Sequence, residues 1–83
     1  MSEERKQIAA IGIDEKGEPV IKEPIFISIS EYKSSKFIDI RKFYLEGEEW
    51  KPTKKGITLN SSQFKEVLDV LNKNESQIMT LLG

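Results

Sequence analysis

Residues 25–32 read Ile-Phe-Ile-Ser-Ile-Ser-Glu-Tyr. Ile25, Ile27 and Ile29 fall on one side of that stretch and Phe26, Ser28, Ser30 and Tyr32 on the other, the period of two that marks a half-buried strand. Working outward, Lys33-Ser34-Ser35-Lys36 is a polar turn. Phe37 to Leu45 resumes the alternation, with Ile38 and Ile40 on the isoleucine side and Phe37, Asp39, Arg41 and Phe43 opposite. The two runs make a hairpin, and its isoleucine side is the expected core face. Glu46-Gly47-Glu48 interrupts the pattern. Glu49 to Thr53 then suits a short third strand ended by Pro52, and Gly56 to Leu59 a fourth, with Ile57 and Leu59 inward. The expectation is an α+β chain built on a four-stranded antiparallel meander.

Asn60 opens a helix, because its side chain suits an N-cap and Gln63 three positions on completes a capping box. Phe64, Val67, Leu68 and Leu71 follow at i, i+3, i+4 and i+7, an apolar stripe that must cover something. Asn72-Lys73-Asn74 weakens the helix, and Ile78, Met79, Leu81 and Leu82 seek burial beyond it, so a kink or restart is expected near Asn74. Residues 1–23 form a separate amino-terminal segment ahead of a domain at 24–83. Ile8, Ile11 and Ile13, then Asp14-Glu15-Lys16-Gly17, then Val20 and Ile21, suit an extra hairpin, which must pack on the sheet or stay mobile.

The chain has 83 residues, no cysteine and no histidine. That length supports one small core, and without disulfides or thiolate zinc sites to reinforce it, self-association is the remaining staple. The amino end is charged and no long apolar run follows, so neither a signal peptide nor a membrane span is expected, and the reading is a soluble intracellular protein. The formal net charge is -1, yet residues 33–55 carry seven Lys/Arg against four Asp/Glu, a local +3. Screening confines each charge to roughly 8–10 Å, so such a segment attracts phosphates whatever the whole chain does.

Without histidine the commonest general base and the commonest neutral metal ligand are both missing, and no enzyme activity, metal or cofactor is expected. Glu46, Glu48 and Glu49 read as solvated loop charges. Asp14-Glu15-Lys16-Gly17 puts lysine where a calcium loop needs an oxygen ligand. No phosphate-loop or dinucleotide glycine pattern is present.

Aromatic and basic residues, by contrast, interleave. Tyr32, Phe37, Arg41 and Phe43 fall on the side of the sheet away from the isoleucines, with Lys33, Lys36, Lys51, Lys54 and Lys55 around the turns. An unpaired nucleic-acid strand needs this composition: flat side chains stack on its bases at about 1–3 kcal/mol each, and cations neutralise its backbone. Phe37 and Phe43 suit either that surface or a core beneath the amino-terminal segment. Tyr32 and Tyr44 tolerate exposure better, and Trp50 suits either the binding surface or a dimer core. Asp39, beside Arg41, reads as its salt-bridge orienter.

Phe37-Ile-Asp-Ile-Arg-Lys-Phe-Tyr44, Gly47 and Lys51-Pro-Thr-Lys-Lys-Gly-Ile-Thr-Leu-Asn60, followed by Gln63-Phe64, resemble the single-stranded-DNA-binding domain of the positive cofactor 4 family of transcriptional coactivators. The resemblance runs from Ile25 to Leu82. It implies a curved four-stranded sheet with a carboxyl-terminal helix, paired as a homodimer, with DNA strands lying in channels on the sheets. It places the stackers at Tyr32 and Tyr44, and the phosphate contacts at Lys33, Arg41, Lys51, Lys54 and Lys55. Tyrosines stand where Phe- and Trp-type residues are common, and Glu23 stands where a lysine often precedes the first strand. Arg41 and Tyr44 have opposite parity, so both reach one strand of DNA only if a bulge or strand end reorients one. Eukaryotic members carry a long serine-, lysine- and acid-rich tail unlike the short acidic segment here. A bacterial, archaeal or viral origin, and hence cytoplasm or nucleoid, is expected, with the nucleus as the eukaryotic counterpart.

The implied function is sequence-independent single-stranded DNA binding by a homodimer in transcription, replication or repair. The alternatives are single-stranded RNA binding and a dimeric module bridging transcription factors or polymerase through its basic turns.

Overall fold

The computed structural model describes residues 4–83. Its elements are β1 (Glu4–Ile11), β2 (Ile25–Tyr32), β3 (Ser35–Glu46), β4 (Glu49–Leu59), α1 (Ser61–Lys73) and α2 (Glu75–Leu82). The strands form one antiparallel sheet in the order β1-β2-β3-β4. Among the described residues no helix is long and apolar enough to cross a membrane.

The sheet has the expected strand number but a different membership. The third and fourth strands read from sequence are one strand, β4, and the fourth place is taken by β1 at the edge. Pro52 does not end β4. Arg41 pairs with Gly56 and Phe43 with Pro52, so Thr53, Lys54 and Lys55 bulge opposite Lys42. The bulge is tied down by Thr53, whose hydroxyl donates to the Lys42 carbonyl at 2.8 Å and accepts from the Lys55 amide at 3.0 Å. The amino-terminal hairpin shrinks to a tight turn between Ile13 and Pro19, closed by the Gly17 amide on the Asp14 carbonyl, while Ile8 and Ile11 belong to β1.

β2 and β3 meet at Lys33 and Ser34, which both hold positive φ, 52° and 71°. This two-residue geometry matches the twist of the flanking strands, so β3 resumes at Ser35, earlier than expected.

The two faces are not buried as the alternation suggested. Phe26, Ser28, Ser30, Asp39 and Phe43 are buried, whereas Ile25, Ile27, Ile29, Ile38 and Ile40 are only partly covered. α1 sits on the isoleucine side, where its Phe64 joins Ile29, Ile38 and Leu59 around an apolar groove; among the described residues α2 packs on α1 and touches no strand. Small polar side chains such as Ser28, 3% exposed on the other side, are therefore enclosed by curvature of the sheet itself. The serine face is concave and the isoleucine face convex.

Asn60 caps α1 as its spacing predicts: its Oδ1 accepts from the Gln63 amide at 2.8 Å, and its own amide donates to Gln63 Oε1 at 3.1 Å. The helix breaks at Asn74, where the backbone leaves helical geometry and α2 restarts. No residue of either helix is buried.

Candidate nucleic-acid interface

The concave face has two halves. At one end Phe26 and Phe43 stack with ring centroids 4.6 Å apart, and Trp50 leans on Phe26 at 5.2 Å. An aromatic pair in this geometry adds about 0.5–1.5 kcal/mol to the burial of its rings. Phe43 is 8% exposed, so its ring belongs to this small core, and Trp50, partly covered, forms its margin.

The other half is cationic. Asp39 and Arg41 lie two apart on β3 and so share a face. Arg41 Nε donates to both Asp39 carboxylate oxygens, at 3.2 and 3.3 Å, and Arg41 Nη1 donates to the Thr53 carbonyl at 3.0 Å. These contacts lock the guanidinium plane. Asp39 is thus the orienter of Arg41 that its position implied. A second guanidinium, unforeseen in the sequence, reaches the same carboxylate: Arg5 Nη1 donates to Asp39 Oδ2 at 3.1 Å.

Arg5, Arg41, Tyr32, Phe37 and Thr58 line one open cleft of about 370 Å³. Lys33, at the turn beside it, holds its ammonium 5.3 Å from the Tyr32 ring centroid, a cation–π contact. Phe37 borders both this cleft and the apolar groove on the convex side. Fixed cations, flat rings and hydroxyls can hold phosphodiester and base faces together; among the described residues there is no cluster of carboxylates that could hold a metal ion.

The remaining candidates are dispersed. Tyr44, 38% exposed, pairs with Lys51 and has the opposite parity from Phe43. The bulge lies in β4 and leaves the alternation of β3, and so the parity of Tyr44, unchanged. Lys36 borders the apolar groove with Ile29 and Ile38. Lys51 is held by Glu46 at 3.3 Å and Glu49 at 3.8 Å, and Lys55 by Glu23 at 3.1 Å. Lys55 also lies beside Ile25, Ile40, Arg41 and Lys42. Lys54 is exposed in the bulge with no ion pair among the described residues.

A curved antiparallel sheet with α1 on its convex side and a cationic, aromatic cleft in its hollow defines an α+β domain with an open binding face. Residues 20–70 match the family model described as Transcriptional Coactivator p15 (PC4), which spans most of β2 to α1 and more than half of the chain. The chain belongs to that family. It is also 43% identical over 44 residues to an RNA polymerase II transcriptional coactivator of Drosophila melanogaster, an alignment covering 53% of this chain and 40% of that relative. No solved structure gives a significant match.

Proposed function

We propose that the protein binds single-stranded DNA, without marked sequence preference, as a homodimer serving transcription. The observation that carries this reading is the orientation of Arg41 by Asp39 and Thr53 inside a cleft that also holds Tyr32 and Phe37. Bases of an unpaired strand stack on the rings, and phosphates meet the guanidinium and the lysines of the β2–β3 turn and the β4 bulge. A duplex hides its base faces and cannot use the rings. Family membership and the coactivator relative support the transcriptional setting.

The homodimer is supported by unfilled apolar surface. Ile57 is 50% exposed, and Phe64, Val67, Leu68 and Leu71 on α1 are 37–50% exposed. On α2, Met79, Leu81 and Leu82 are 62–77% exposed. Contiguous apolar surface of this kind marks an interaction site, and a second copy of the convex face would cover it.

Trp50 stands at the margin of the concave face and reports binding by fluorescence. Titration with oligo-dT is expected to give saturable binding that an equivalent duplex does not, with a log–log salt slope of about -0.7 for each phosphate neutralised. Equal binding to both, or to neither, would overturn the reading. Competition with an RNA oligomer of the same sequence separates the two sugars, because the 2′-hydroxyl distinguishes them.

A further inference from the structure

Strand β1 contains a bulge whose effect is to divide its side chains between the two faces of the sheet. Arg5 pairs with Ser30 and Gln7 with Ser28, residues of the concave face, but Ala9 pairs with Ile27 and Ile11 with Ile25, residues of the convex face. The register shifts at Ile8. In a regular strand Arg5 and Ile11, six residues apart, would point the same way. The bulge sends Ile11 to the isoleucines and Arg5 to the hollow, and re-aiming a side chain is what bulges near binding sites do.

Once in the hollow, the Arg5 side chain crosses β2 to reach Asp39 on β3. Serine at 28 and 30 makes that crossing possible, since larger side chains would stand in its way. The outcome is one carboxylate, 4% exposed, between two guanidiniums. Arg5 stays 39% exposed on the wall of the Tyr32 and Phe37 cleft.

We propose that Arg5 is a phosphate-contacting residue, so that β1 is part of the nucleic-acid-binding face. This rests on the reading of the cleft as a single-strand site. The family match begins at residue 20, so β1 lies outside it and Arg5 is a feature of this chain's own edge strand. With Arg41 on β3 and Arg5 reaching in from β1, the cationic track spans the sheet instead of ending at β2. An unpaired strand stacked on Tyr32 then meets, further along the same cleft, two guanidiniums held together on Asp39.

The test compares the full-length protein with Arg5→Met, which keeps the aliphatic stem, and Arg5→Lys, which keeps the charge. Thermal melting and amide exchange of β1 check that the sheet is intact. Arg5→Met is expected to weaken oligo-dT binding about five-fold at 0.1 M salt and to shrink the salt slope by about 0.7, one phosphate contact. Arg5→Lys is expected to keep the wild-type slope. A folded Arg5→Met protein with unchanged affinity and slope overturns the inference. Equal loss in both variants also overturns it, because Arg5 would then act only by fixing Asp39. Absence of oligo-dT binding by the wild-type protein overturns the single-strand reading itself, and this inference with it.

Discussion

The side chain of Arg41 lies against Gly56: a β-carbon at position 56 would stand 2.8 Å from Arg41 Cβ, Cγ and Cζ. Glycine is required here by closeness, since the two residues are cross-strand partners and Arg41 lies flat toward Asp39 and Thr53. Gly56→Ala must push the guanidinium from its cradle. The expected cost is about 1–3 kcal/mol of stability, as for other overpacked sites, together with weaker oligo-dT binding. In an Arg41→Ala background the contacts with Cγ and Cζ disappear and that with Cβ remains, so part of the cost is recovered. A double-mutant cycle by chemical denaturation reads the coupling, expected at about 0.5–3 kcal/mol for residues in contact.

Glu23 holds Lys55 at 3.1 Å, with the lysine side chain 65% exposed. An exposed pair of this kind contributes only about 0–1 kcal/mol to stability. Glu23→Gln is therefore expected to leave the melting temperature nearly unchanged. It should raise oligo-dT affinity a few-fold at low salt, because a carboxylate competing with phosphate is removed. Glu15→Gln, the same charge change in the amino-terminal turn, controls for net charge. If both substitutions raise affinity equally, Lys55 lies outside the contact surface.

How much of this was legible depended on whether local pattern decided the geometry. The β2–β3 hairpin, the Asn60–Gln63 cap and the break at Asn74 could be read because each is set by residues within a few positions of one another. Asp39 and Arg41 could be read together for the same reason. β4 could not: Pro52 and the Thr53–Lys55 run resemble a strand end, and only the Thr53 hydroxyl bonds to Lys42 and Lys55 carry the pairing through. β1 was hidden by its own bulge, which breaks the alternation that would have announced a strand and conceals Arg5. The buried face was misread because period two tells which residues share a face, not which way the sheet curves.

Asp39 holds two guanidiniums from a side chain 4% exposed, and both its oxygens are used. Asp39→Ala removes the buried carboxylate that both guanidiniums share, and breaking a buried pair costs about 3–5 kcal/mol. Asp39→Asn keeps the shape and one acceptor, and is expected to cost less. Urea denaturation of the three proteins orders them. Equal stability for wild type and alanine would mean that the guanidiniums find other partners.

Lys33 and Ser34 both occupy the left-handed region without being glycine. That conformation costs an L-residue about 1–2 kcal/mol, partly offset in any glycine substitution by the greater freedom of the unfolded chain. Ser34→Gly is expected to raise stability by up to about 1 kcal/mol. It leaves Lys33 and its contact with Tyr32 in place, so oligo-dT binding should not change. A lower melting temperature would show that the turn adopts another geometry in solution.

Ile57 decides the question of self-association. Within one chain it is 50% exposed, so Ile57→Glu costs a monomer little, and neither its size in solution nor its melting temperature should move far. In a dimer joined through the convex face the same substitution buries a carboxylate between two isoleucine sheets and α1 stripes, an arrangement that charge desolvation forbids. Sedimentation of the wild-type protein is expected to give a dimer at micromolar concentration, with a melting temperature that rises with concentration as mass action requires. Ile57→Glu is expected to sediment as a monomer and to melt independently of concentration. Because the cleft lies on the opposite face, the variant should still bind short oligo-dT. If the wild-type protein is itself monomeric, the exposed stripe of Phe64, Val67, Leu68 and Leu71 needs a partner other than a second copy.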